Sequence, residues 1–278
     1  MKIRSQRVLT LSALLALVLT TPVLAGVVFE VETTDHTHGE PRLERTEASV
    51  EGKNIKIDIA PGESTRDSEA IYRGDRREMV VVDHDEKSYV VMDTEAMEAV
   101  AGQVSGAMAQ IQQALENVPE DRRAMIEQMM KDKLPQQPAA PSGPRSELRK
   151  TSDRGEQAGY PCVKYEVLIE GRKVRELWVT DWSNIEGGDE AVDAFEDMAE
   201  FFQELMSSIP DFGQGPIGGH NAFEHMKDIG GFPVVTREFG EDGSLDSEAT
   251  LRSARRRTLD PADFEPPAGY KRRQMFGG

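Results

Sequence analysis

The chain has 278 residues and a formal net charge of −17, with 33 Lys+Arg against 50 Asp+Glu. Such an acidic surface repels phosphate backbones, which argues against nucleic acid as a partner. Its single cysteine, Cys162, rules out an intrachain disulfide, and 38% hydrophobic residues suffice for a globular core carrying long charged segments.

Residues 1–25 read as a secretory signal peptide. Lys2, Arg4 and Arg7 form a basic start, and Val8 to Leu19 is apolar apart from Thr10 and Ser12. Pro22 breaks the helix, and Val23-Leu24-Ala25 offers small residues at a cleavage site. The apolar run is shorter than the about 20 residues a membrane span needs. Leu24-Ala25-Gly26 resembles the start of a lipobox, but Val27 stands where lipidation needs cysteine. The expectation is an exported, non-lipidated periplasmic protein starting near Gly26 that does not span a membrane after cleavage. Without the three signal-segment cations its charge is −20.

The rest, residues 26–278, reads as one domain. Val27, Phe29 and Val31 alternate with polar residues and predict a strand, as do Ile55, Ile57 and Ile59. Residues 70–73, 79–82 and 89–92 follow as strands, the last two joined by the polar turn 83–87. At Asp93 the period changes. Met97, Val100, Val104, Met108, Ile111, Leu115 and Val118 are spaced three or four apart, the stripe of an amphipathic helix. Pro119 restarts it, giving a helical insert over 93–134, and residues 135–144, with four prolines, form a linker.

Strands resume at 163–169 and 177–179, before a loop over 181–189. Val192, Phe195, Met198, Phe202, Leu205 and Ile209 predict a second amphipathic helix. Residues 210–219 are Gly- and Pro-rich loop, 221–229 a short helix, 232–239 and 247–259 strands, and 260–270 an extended tail. Strand runs interrupted by helices imply an α+β fold on a largely antiparallel sheet, with helices covering one face.

The chemistry-bearing motifs are absent: no GxSxG, SxxK, HExxH, CxxC or glycine-rich phosphate loop occurs. Neither an enzyme nor a cofactor is expected. His36 and His38 would share a face of an extended segment and suit Zn²⁺ or Cu²⁺ with Asp35 or Glu40, or else they form a polar strand end. His84, His220 and His225 read as solvated, and Cys162 as a small buried hydrophobe. Methionines concentrate in the helices. Their flexible side chains suit a pliable apolar pocket, or an ordinary helix-on-sheet core.

Several segments together carry a resemblance: Ile71-Tyr72-Arg73-Gly74, Met79 to Asp83, Gly159 to Val167, Leu177-Trp178-Val179-Thr180, Gly231-Phe232-Pro233-Val234 and Phe264 to Tyr270. Their order resembles the exported bacterial domain of unknown function 4412. That group is similar to LolA-type periplasmic lipoprotein carriers, which implies a curved half-barrel sheet around helices and an apolar cavity for acyl chains. The implied function is a soluble periplasmic protein holding a lipid or lipoprotein acyl chain. No ligand-binding residue of the carriers maps onto a position here, and the two helical stripes supply the cavity candidates Met97, Val104, Met108, Ile111, Phe195, Met198 and Phe202. The alternatives are an envelope protein–protein interaction or stress-regulatory module, and a metal-handling protein using His36 and His38.

Overall fold

A computed structural model describes residues 25–37, 39–59, 68–96, 146–208 and 225–274, with the single residues 99, 102 and 106. Twelve strands form one sheet: β1 (Ala25–Asp35), β2 (Arg42–Glu51), β3 (Asn54–Ile59), β4 (Ser68–Arg73), β5 (Glu78–Asp83), β6 (Ser88–Met92), β7 (Ser146–Gln157), β8 (Tyr160–Ile169), β9 (Arg172–Thr180), β10 (Phe232–Phe239), β11 (Leu245–Thr258) and β12 (Lys271–Arg273). The order is β12-β6-β5-β4-β3-β2-β1-β11-β10-β9-β8-β7. Every pairing is antiparallel except β12 with β6. The expected α+β class and curved, largely antiparallel half-barrel sheet are found. Register shifts in β1–β11, β9–β10 and β8–β9 insert extra residues, and such bulges bend strands and increase twist.

One long helix, α1 (Gly188–Ser208), covers the inner face. Ala191, Ala194, Met198, Phe201 and Leu205 recur at three- and four-residue steps, and all are buried. Asp189 and Glu190 in the first turn complement the helix dipole. Gly187, at φ +73°, makes the entry turn, where a Cβ would come within 2.2 Å of Val27 Cγ2. The helix lies across the strands. Glu190 pairs with Arg256 of β11, Asp197 meets Tyr72 of β4, and Glu204 pairs with Arg77 just beyond it. Between its contacts with β11 and β4 the helix packs over β1, β2 and β3.

The inner core joins this helix to the sheet. The cross-strand row Val27, Val50, Ile55, Tyr72 and Met79 is buried beneath it. Phe29 stacks on Phe232 at 5.3 Å and meets Phe195 edge-on at 5.8 Å. On the outer face Val28, Ile71, Val80, Val82 and Val91 form a second cluster, closed by Leu259 and Phe264 of the C-terminal segment. A third cluster gathers Tyr165, Val167, Ile169, Val174, Leu177 and Val179 with Ile229 of the short helix α2 (Met226–Ile229).

The structure adds four features to the sequence expectations. β2 and β7 are strands, although neither shows a sustained apolar alternation. α1 begins at Gly188, inside the expected loop, after a 3-10 turn over Trp182–Asn184. The tail holds a 3-10 turn, Pro261–Phe264, and ends in β12. Of the helical insert 93–134, residues 94–96, 99, 102 and 106 are helical, and Asp93 accepts the Ala96 N–H at 2.7 Å. The rest of the insert and the linker 135–144 lie outside the described residues.

Candidate functional site

Of the seven apolar candidates, Met97, Val104, Met108 and Ile111 lie outside the described residues. The other three sit on α1. Met198 is buried in the inner core. Phe195 is half-buried among Phe29, Trp182 and Phe232, and Phe202 packs against that core, edge-on to Phe201. All three therefore serve the helix-to-sheet contact.

Beside that contact the inner face continues as an apolar row one pairing step along the strands. Phe29, Ala48, Ile57, Ala70, Val81 and Val90 are directly paired from β1 to β6. Cover falls off along it: Phe29 is buried, Ala48, Ile57 and Ala70 are half-buried, and Val81 is 38% exposed. Ala48, Ile57 and Ala70 pack against the edge of the inner core.

A cavity of about 830 Å³, within the usual size range of ligand sites, lies along the outer face and takes in the inner-face positions Val31, Thr46 and Ser68. Glu30, Glu32, Arg45, Glu47, Asp58, Glu69, His84 and Arg252 line it as well. Its floor follows from register. Glu30 of β1 faces Glu47 of β2, Glu47 faces Asp58 of β3, and Asp58 faces Glu69 of β4. Four carboxylates thus stand in one cross-strand row, where like charges directly opposite destabilise a sheet.

Surrounding cations offset the row unevenly. Arg255 donates to Glu30 at 2.6 Å, and a hydrogen bond from Ser253 at 2.8 Å, then Arg255, hold the Glu30 carboxyl below its ordinary range against its desolvation. Glu69 takes His84 Nε2 at 2.8 Å and Lys56 at 3.7 Å. Glu32, one step along, takes Arg252 Nε at 3.0 Å and Arg45 Nε at 3.4 Å, and the Arg252 hydrogen bond lowers its pKa. Burial works against the charge of Lys56, yet Asp58 at 3.2 Å, with Glu69, keeps its pKa raised. Among the described residues, the cation nearest Glu47 in the centre is Arg257, at 3.8 Å. The guanidinium groups form the rim: the Arg45 side chain is 80% exposed and its Glu32 partner 13%. The trough is an acceptor floor under an exposed cationic edge, suited to exchanging its own cations for those of a ligand.

His84 and His225 correct the solvated reading. His84 bridges Glu69 and the Tyr270 hydroxyl, 3.0 Å from Nδ1, and His225 Nε2 lies 2.9 Å from the Ser146 hydroxyl. Cys162 is buried as expected. Burial pushes its thiol up, and its S–H donates to the Tyr160 carbonyl at 3.3 Å, the setting of an inert thiol. His36 follows the end of β1, and His38 and His220 lie outside the described residues. Among the described residues no group of three or more His, Cys, Asp or Glu is placed to hold a metal ion. Nor is any described helix long and apolar enough to cross a membrane.

The acidic row escaped the sequence reading because its members come from four strands. Each strand's alternation shows which residues face outward, but only the register reveals that four acids coincide.

No family model matches the chain, and no curated protein does. Solved structures do. One is an uncharacterised conserved protein from Thermus thermophilus, with TM-score 0.43 and 8% identity over 88% of this chain and 90% of that one. Another is the MucA/MucB complex of Pseudomonas aeruginosa, with TM-score 0.34 and 10% identity over 88% of this chain and 56% of that one. A third is a LolA superfamily protein from Nitrosomonas europaea, with TM-score 0.29 and 12% identity over 88% of this chain and 91% of that one. At these scores the architecture rests on the chain's own pairings, and the site on its own residues.

Proposed function

We propose that this protein is an exported, non-catalytic binding module of the bacterial periplasm whose outer trough holds a cationic segment of another envelope protein. The observation that carries this reading is the row Glu30, Glu47, Asp58 and Glu69 on the floor of the cavity. A sheet that keeps like charges opposed gives up stability, and departures of that kind gather at functional sites. Lys or Arg side chains of a partner would relieve the repulsion, Glu47 and Asp58 being the least tightly paired members.

The test is calorimetric titration of a Lys/Arg-rich peptide, repeated over a salt series, because exposed charge contacts are screened. Binding that weakens with salt and is lost in the Glu47→Lys, Asp58→Lys double variant supports the reading. Equal binding by wild type and variant, or none by either, removes it.

A second reading, an acyl chain on the inner face, is favoured by the apolar row from Ala48 to Val90, exposed at Val81. Native mass spectrometry with lipid extraction separates the two. A lipid that co-purifies and leaves on denaturation, and is lost with Val81→Asp, transfers the function to that face.

A further inference from the structure

We infer that the C-terminal segment 259–273 is a pH-sensitive strap, loosened from the outer face when Glu51 ionises. This goes beyond the binding reading and does not depend on it. Glu51 ends β2 and is only 9% exposed. Its cross-strand neighbour is Asn54, whose Oδ1 is buried with no hydrogen-bond partner among the described residues. The strap arrives over this corner. Leu259 rests on Gly26, where any Cβ would come within 2.3 Å of its Cδ1. The turn Pro261–Phe264 follows, packed on β3 and β4. Its capping box uses two carboxylates as acceptors: Asp260 takes the Ala262 N–H at 2.9 Å, and Asp263 takes the Asp260 N–H at 3.3 Å.

Glu51 thus sits under two anions and beside that amide oxygen. Arg73 of β4, directly opposite Asn54, is the buried cation of this corner. Glu78 at 2.8 Å and Glu265 already engage it, although its Nε has no partner among the described residues, and a protonated Glu51 brings an O–H beside the Asn54 Oδ1. An ionised Glu51 adds a third negative charge in a desolvated place. Lys56, the cation of the adjoining strand, is engaged by Asp58 at 3.2 Å and Glu69 at 3.7 Å, and also feels Asp263. Burial, then Asp260 and Asp263, push the Glu51 carboxyl above its ordinary range. The docked strap therefore binds the proton more tightly than the released strap. The contribution of Glu51 to docking is full below the ordinary carboxylate range and is lost as pH rises through the raised one.

The strap has weight to move. Leu259 and Phe264 close the outer cluster over Ile71, Val80 and Val82. Arg73 and Arg76 both grip Glu265, Arg76 at 2.7 Å, and Tyr270 reaches His84 on the trough wall. Loosening uncovers apolar surface next to the trough and frees the β6 edge held by β12.

The experiment is hydrogen exchange of residues 259–273 at pH 5 and pH 8, corrected for the intrinsic rate, in wild type and Glu51→Gln. Wild type should lose protection several-fold at pH 8 while β8 and β9 keep theirs. Glu51→Gln should keep its protection at both pH values. Equal wild-type protection at both, or the same loss in Glu51→Gln, overturns the proposal. A parallel loss in β8 and β9 does so too, since that is whole-protein destabilisation.

Discussion

Tyr72 shows how much one side chain ties together. It is fully buried on β4, its ring lies against Phe201, and its hydroxyl donates to Asp197 Oδ2 at 2.6 Å. Burial, then the Asp197 carboxylate, push the phenol far above its ordinary range, so it stays a donor at any working pH. Hydrogen bonds to charged groups contribute about 1.5–3 kcal/mol. Tyr72→Phe should lower stability by about that amount in urea unfolding, with the slope unchanged. Asp197 also faces Lys53 at 3.6 Å and Arg77 at 3.8 Å, so it keeps partners when the phenol is lost. A neutral Tyr72→Phe would mean that those cations satisfy Asp197 alone. Residues of this kind divide by how much of their setting is local. Val27, Phe29 and Ile55 were legible as core from alternation alone, and Cys162 from its place in an apolar strand. His84 was not, because its partners Glu69 and Tyr270 arrive from another strand and from the tail.

At the scale of elements, β2 and β7 explain most of what the sequence hid. β2 gives its outward positions to Leu43, Arg45, Glu47 and Ser49, and its inward ones include only Ala48 and Val50 as apolar residues near the core. β7 is an edge strand with one apolar residue, the half-buried Leu148. A strand held by its neighbours' hydrogen bonds needs little apolar signal of its own. The same trait lets β2 carry a trough residue at a cost to the sheet. Glu47→Gln removes the centre of the acidic row. It should raise stability by about 0.2–1 kcal/mol, the range for opposed pairs, and weaken capture of a cationic peptide. Opposite movements in thermal unfolding and in affinity are the signature of a site kept against stability. A variant that loses stability would show that Arg257 and its neighbours already overcompensate the row.

Across the whole molecule, successive residues of the same strands serve two cores. Ile71 and Val80 point to the strap cluster, while Tyr72 and Met79 point to α1. Damage to one core must therefore weaken the strands on which the other rests. The far end differs in part: Tyr165, Ile169, Val174 and Leu177 pack with Ile229 in a third cluster, and β8 and β9 reach the inner core through Cys162 and Trp178. Met198→Ala tests this division. Truncating a buried methionine costs about 2–5 kcal/mol, and the loss should not spread evenly. Exchange protection should fall in β4, β5 and the strap together, because inner and outer cores share those strands. The amides of β8 and β9 around Ile169 and Leu177 should fall less, forming a separate cooperative unit. Equal losses everywhere would make the sheet one unit. Loss in β4 and β5 with an unchanged strap would mean that the outer cluster and its ion pairs hold the strap without help from the helix.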